Sequence, residues 1–219
     1  MRELETIGYY RRELGAGIER LFENALDWEH LPHLHDSSFE AIEVIDADET
    51  GWTADARLAG GMKVALDLRL DREEASWVTR TRVAGEVASE IVSLASTRGP
   101  DRCHVAVEFR MADVPEDKRA AMADYYRALY ARLYDEDEAM MIARAEALAA
   151  GAQGLRERKT VTMADGSETD IPLRCPHWGL PLTAEPDDAG IVTCPWHGYR
   201  FDARTGVCVS GQSCRWQVS

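Results

Sequence analysis

"MKVALDLRL", residues 62–70, alternates without a break. Met62, Val64, Leu66, Leu68 and Leu70 fall on one side of an extended chain, Lys63, Asp67 and Arg69 on the other. Side chains of a strand alternate between the faces of its sheet, so this stretch predicts a strand with one buried and one solvated face. "CHVAVEFRM", residues 103–111, repeats the pattern with Cys103, Val105, Val107, Phe109 and Met111 inward. Segments near 39–48, 52–59, 75–84 and 86–96 are also strand-like. Gly60-Gly61 and Gly99-Pro100 punctuate them as turns. Connections this short predict an antiparallel sheet.

Helical periodicity flanks the strands. Ile18, Leu21, Phe22, Ala25 and Trp28 recur at three- and four-residue steps, which predicts a helix over 9–31. A long helix is predicted from about Pro115 to Ala150. Proline suits an early helical position, and Gly151 and Gly154 end the run. Beyond Gly154 the texture changes. "ERKTVTMADGSETDIPLRC" reads as two strands around an Asp165-Gly166 turn, and short strands, Gly, Pro and a Cys/His cluster follow. A boundary near 152–156 divides the chain into domains of 1–153 and 154–219, giving an α+β fold with a small all-β appendage.

Composition narrows the function. The 219 residues carry 25 basic and 39 acidic side chains, a formal charge of −14. Nucleic-acid binding needs a basic footprint, which this balance lacks. A basic redox partner is compatible with it. "MRELETIGYYRREL" has charges too closely spaced for a signal peptide, and no apolar run approaches the ~18 residues of a membrane helix. The five cysteines form an odd set without framework spacing. Disulfides are therefore not expected, and a reducing, cytoplasmic compartment is.

Four of the ligand-type residues form a repeated pattern in "RCPHWGLPL" and "CPWHGYRFD". Cys175-x-His177 is followed after sixteen residues by Cys194-x-x-His197. Two thiolates and two imidazoles suit tetrahedral zinc or the two irons of a [2Fe–2S] centre. A zinc finger pairs Cys with Cys and His with His, whereas here a Cys-His pair is duplicated. Each Cys precedes a Pro, and Gly179 and Gly198 follow each His closely, so backbone N–H groups can point at cluster sulfurs.

"CPH…CPWHGYRFDARTG" closely resembles the Rieske domains of bacterial ferredoxins and ring-hydroxylating oxygenases, over roughly 155–219. The resemblance implies a cluster with Cys175 and Cys194 on one iron and His177 and His197 on the other. Trp178 stands where many such oxygenases carry Arg. Neither loop has the extra cysteine of the high-potential Rieske proteins, which implies a lower potential. Cys103, Cys208 and Cys214 read as structural.

A second candidate site lies in "NALDWEHLPHLHDSSF", residues 24–39. Asp27 and His30 are three apart and share a helix face. His35 would lie about 140° from His30 on a straight helix. Pro32 disfavours helical geometry at Leu31, so the chain can turn there and bring His35 back. By local geometry His33 competes equally. On the long helix, Met122, Tyr126, Leu129, Leu133 and Met140 form an apolar stripe with a gap at 136–137, filled by Glu136 and Asp137. A carboxylate on a buried seam is costly unless it is paired or binds metal.

Helix, antiparallel sheet and long closing helix resemble the helix-grip (START-like) fold. The spacing Asp27-x-x-His30-x4-His35 and the segment "LYDEDEAMM" resemble the mononuclear-iron motif of Rieske non-heme iron oxygenases. That resemblance implies Fe(II) held by His30, His35 and Asp137. It gives Asp27 a conducting role, joining His30 to His177 or His197 of a neighbouring chain in a head-to-tail homotrimer. It further implies O2 activation beside a small apolar or aromatic substrate, for hydroxylation or oxidative demethylation. No flavin or nicotinamide motif is present, so electrons are expected from a separate NAD(P)H-dependent reductase, directly or through a ferredoxin. The Rieske-like segment comes last here, whereas family members place it first and are longer. The other reading is an electron carrier or redox sensor with a ligand-binding helix-grip domain. Iron content separates them, at about three per chain against two.

Overall fold

The computed structural model describes residues 3–154 and 156–217. Two compact units divide the chain, Met1–Met141 and Ile142–Ser219.

The first unit is built on one antiparallel sheet of seven strands. These are β1 (Leu4–Leu14), β2 (Phe39–Asp48), β3 (Gly51–Leu58), β4 (Lys63–Asp71), β5 (Ser76–Val83), β6 (Glu86–Thr97) and β7 (Cys103–Ala112), in the order β1-β7-β6-β5-β4-β3-β2. The alternation read from the sequence becomes alternate burial. Along β4, Val64, Leu66, Leu68 and Leu70 are buried, and along β7, Cys103, Val105, Val107, Phe109 and Met111 are. Met62 lies just outside β4 and is exposed. The opposite face carries a ladder of charges across neighbouring strands. Glu108 pairs with Arg110, Arg110 with Glu90, Glu90 with Arg80, and Arg80 with Asp67. Such a network keeps that face solvated.

The expected helix over 9–31 is corrected. Residues 4–14 form the edge strand β1, paired with β7, and only Ile18–Leu26 is helix α1. β1 does have a two-residue period, with Gly8, Tyr10, Arg12 and Leu14 turned inward. Two of those four are not apolar, so the alternation is masked. Arg12 faces in because it meets carboxylates. Its guanidinium donates to Asp135 and Glu138 of helix α3 (Arg119–Gly154), fastening that helix to the edge of the sheet.

The chain then turns sooner than the proline suggested. α1 ends at Leu26 with Asp27 as its C-cap, and a four-residue helix α2 (Leu31–Leu34) starts afresh. Pro32 sits in the first turn of α2, where its missing N–H costs nothing. The break therefore falls between Leu26 and Leu31.

α3 follows a 3-10 turn at Glu116–Lys118, and Gly151, at φ 54°, breaks its regularity near the end. The compact units divide inside this helix, at Met141/Ile142, whereas the change of sequence texture lies at 152–156, where the helix ends. The second unit adds the hairpin β8 (Arg158–Thr162) and β9 (Glu168–Pro172) and the pair β10 (Ile191–Thr193) and β11 (Arg200–Asp202). Its own core contains Val161, Ile171, Leu182, Val192, Phe201 and Trp216. Among the described residues, no helix is long and apolar enough to cross a membrane.

Gly51 allows β3 and β4 to approach. A Cβ there would lie 2.0 Å from the Leu68 carbonyl oxygen, a backbone atom that cannot swing away. Gly51→Ala is expected to cost roughly 2–3 kcal/mol in denaturant unfolding. Gly60→Ala, at φ 89° in open space, is expected to cost about 1 kcal/mol. A smaller loss for Gly51→Ala than for Gly60→Ala contradicts this.

Two candidate metal centres

The first site collects side chains from α1, α2, the turn between them and α3. His30, His35 and Asp137 are all buried, and one ligand atom from each lies within 4.8 Å of the others. Each imidazole is oriented from behind by a carboxylate. His30 Nδ1 donates to Asp27 Oδ2 at 3.2 Å, and His35 Nδ1 to Glu136 Oε2 at 2.6 Å. A carboxylate can only accept, so these bonds place a proton on each Nδ1 and turn each Nε2 toward the site. The two Nε2 atoms converge on Asp137 Oδ1, at 3.4 Å from His30 and 3.0 Å from His35.

Burial sets the electrostatics. It disfavours charge on His30, but Asp137 and Asp27 outweigh it and push the imidazole up to about 9. Burial likewise opposes ionisation of Asp137, and hydrogen bonds from His30 and His35 hold it well below the usual carboxylate range instead. A buried anionic oxygen facing two ring nitrogens is an arrangement that can hold a cation. Two His and one carboxylate suit non-heme Fe(II) and leave coordination positions open.

The rivals left open by the sequence separate here. His33 is exposed and lies outside the cluster, while Glu136 turns to the far side of His35. Asn24 was not singled out from the sequence. It is buried, and its Nδ2 donates to Asp137 Oδ1 at 3.0 Å. The available signal was a polar residue between Leu21 and Ala25 on the apolar stripe of α1.

A cavity of about 390 Å³ opens beside this cluster, between sheet and α3. Trp52, Leu66, Leu68, Trp77 and Ile91 give it apolar walls, and Thr79, Ser89 and Tyr126 add neutral polar groups.

The second site lies in the C-terminal unit, on two loops of matching conformation. In the first, Cys175 N donates to Leu180 O at 2.8 Å and Gly179 N to Cys175 O at 2.8 Å. In the second, Cys194 N donates to Tyr199 O at 2.8 Å and Gly198 N to Cys194 O at 3.0 Å. Gly179 and Gly198 take the same left-handed conformation, at φ 72° and 66°. The duplicated Cys/His pattern is thus a duplicated turn.

These turns bring the four side chains together. Cys175, Cys194 and His197 are buried, and the His177 and His197 rings lie 4.7 Å apart. The thiols hydrogen-bond, and that contact holds Cys194 as the ionised partner and pushes Cys175 far up. Backbone N–H groups of Trp196 and His197 point at the Cys194 sulfur, and that of His177 at Cys175. Such donors stabilise sulfur negative charge, as thiolate ligands of iron require. Two residues that sequence reasoning passed over complete the surroundings. The Tyr199 ring stacks on His177 at 4.4 Å. The guanidinium of Arg144 lies over the Trp178 ring, 5.1 Å from its centroid, and donates to Trp178 O at 2.6 Å. A cation is thus present beside position 178 although the residue there is Trp.

Residues 139–216 match the family model of the Rieske [2Fe-2S] domain. No curated protein matches the chain. Among solved structures, dicamba monooxygenase bound to dicamba is similar, with 18% identity and a TM-score of 0.55, covering 70% of this chain and 52% of that one. This chain therefore spans about half the length of that protein. A point mutant of norcoclaurine synthase from Thalictrum flavum has 17% identity and a TM-score of 0.51, covering 65% of this chain and 96% of that one. Zhui aromatase/cyclase from Streptomyces sp. R1128 has 9% identity and a TM-score of 0.52, with the same shares of 65% and 96%. Identities this low speak to fold alone. By fold the chain is a START-like sheet and long helix, with a Rieske domain at its C-terminus.

Proposed function

We propose that this chain is the oxygenase component of a Rieske-type non-heme iron system. The observation that carries the reading is the convergence of His30, His35 and Asp137 beside an apolar cavity, in a chain that also has a Rieske domain. The mononuclear iron supplies O2 activation when bound, and the [2Fe–2S] cluster of Cys175, His177, Cys194 and His197 supplies electrons. Those electrons come from an NAD(P)H-dependent reductase, directly or through a ferredoxin, in the cytoplasm.

The chain's own residues do the positioning. Asp27 and Glu136 fix the tautomer and tilt of His30 and His35, and Asn24 holds Asp137. Trp52, Trp77, Leu66 and Leu68 exclude water and hold a small apolar or aromatic substrate against the site. The outcome is hydroxylation or oxidative demethylation. Asp27 has a second role. A carboxylate can accept up to about four hydrogen bonds. Besides His30 and the Glu29 N–H, Asp27 takes a cluster histidine of a neighbouring chain in a homotrimer and conducts electrons to His30. Two domains divided at 153/154 serve the two halves of the task.

The first test is metal content. His35→Ala and Asp137→Ala are each expected to lose about one iron per chain while the visible cluster spectrum stays. His33→Ala is expected to keep both metals. Unchanged iron in all three variants would leave a Rieske electron carrier as the better reading.

The second test addresses Asp27. Asp27→Asn is expected to keep both metals but slow cluster oxidation in a single turnover by about 10- to 100-fold. Light scattering of the wild type is expected to show a trimer. Full single-turnover rate in the variant, or an active monomeric wild type, contradicts the bridging role.

A further inference from the structure

The antiparallel bridge between Val207 and Arg215 sets the register of the C-terminal segment. One residue along each strand from that bridge, Cys208 stands opposite Cys214. On the other side, Trp216 N donates to Gly206 O at 3.1 Å. Opposed residues of an antiparallel pair have Cα atoms about 4.5–5.5 Å apart and side chains on one face. A disulfide spans Cα separations of about 4.4–6.8 Å, so the register suits one. The Cys208 side chain is near enough to that of Cys214 to perturb its titration. Ser210 Oγ and Gln212 Oε1 hold the Cys208 sulfur, at 3.2 and 3.5 Å. Cys208 is buried and Cys214 half-buried, and both pack with the core that holds Cys175 and Cys194.

We propose that Cys208 and Cys214 are a disulfide-forming pair, a covalent lock on the C-terminal segment of the Rieske domain, closed by exchange with an oxidised low-molecular-weight disulfide. Cys214 is the more accessible thiol. Its thiolate attacks one sulfur of the oxidant, the oxidant's S–S bond breaks and one small thiol leaves. The Cys208 thiolate then attacks the Cys214 sulfur and expels the second small thiol. Two protein S–H bonds are lost and one S–S bond forms, and the two electrons and two protons end on the two thiols released. Cys214 is only half-buried but Cys208 is buried, so an oxidant reaches the pair slowly. That suits a lock set by prolonged exposure rather than a fast sensor.

The link would fix a segment on which local packing depends. Trp216 packs on Phe201, with ring centroids 4.9 Å apart, and its backbone closes over Gly206. Gly206 has φ 71°, and a Cβ there would lie 2.3 Å from Trp216 O. A cross-link at 208–214 keeps residues 214–216 on this surface when the domain opens. Formation of the link does not require the cluster assignment.

The test uses the full, iron-loaded chain. It is incubated with oxidised glutathione at mildly alkaline pH, and the remaining thiols are alkylated in denaturant before peptide mapping. The expected result is a linked Cys208–Cys214 peptide, about 2 Da lighter than its dithiol. Chelator bleaching of the visible absorption is expected to be roughly threefold to tenfold slower than for the reduced chain, and dithiothreitol is expected to reverse it. Cys208→Ser is expected to keep glutathione on Cys214 and to bleach at the reduced chain's rate. Full alkylation of Cys208 and Cys214, stable glutathione on wild-type Cys214, or pairing of Cys214 with any other cysteine would overturn the proposal. A Cys175–Cys194 link beside the expected one would count against the cluster assignment alone.

Discussion

A buried carboxylate on an apolar helix face governs the larger unit. Asp137 sits on the seam by which α3 packs on the sheet, a position where an isolated charge would be expelled. It stays because His30, His35 and Asn24 surround it, and those residues come from the N-terminal helices α1 and α2 and the turn between them. The N-terminal helices must therefore be placed accurately against α3. Arg12 contributes by tying β1 to Asp135 and Glu138, the residues flanking the Glu136–Asp137 pair. Fastening and site thus use the same turn of helix. The cost of burying that charge is offset by the two imidazoles and the Asn24 amide around it.

The two candidate centres share a logic of preset nitrogen and sulfur atoms. In the first, carboxylates behind each imidazole decide which nitrogen faces inward. In the second, backbone N–H groups held by twin turns aim at sulfur. Neither arrangement relies on long, flexible side chains. Ligands held this way lose little entropy when a metal binds, which favours tight retention.

Much of this was legible in the sequence, and the exceptions have physical causes. Strands β2 to β7 were readable because one face is apolar and the other charged, as Val64 to Leu70 show. β1 was not, because its inward positions include Gly8 and Arg12, which pack for reasons of space and charge rather than hydrophobicity. The convergence of His30 and His35 is legible in the sequence, but Pro32 marks the turn too late, because the chain breaks earlier, at the C-cap Asp27. Whether His33 or His35 faces the site depends on the short helix α2, which restarts after that break. No single-sequence periodicity encodes such an angle. Asn24 escaped notice because a polar residue on an amphipathic helix is common, and only the buried Asp137 opposite gives it meaning.

The central claim is that one chain holds two chemically distinct iron sites. Mössbauer spectroscopy of protein loaded with 57Fe tests this most directly. The account predicts a coupled iron pair together with a separate high-spin ferrous site, in an area ratio of about two to one in the oxidised-cluster state. A spectrum from the coupled pair alone, in protein supplied with excess ferrous iron, would contradict it.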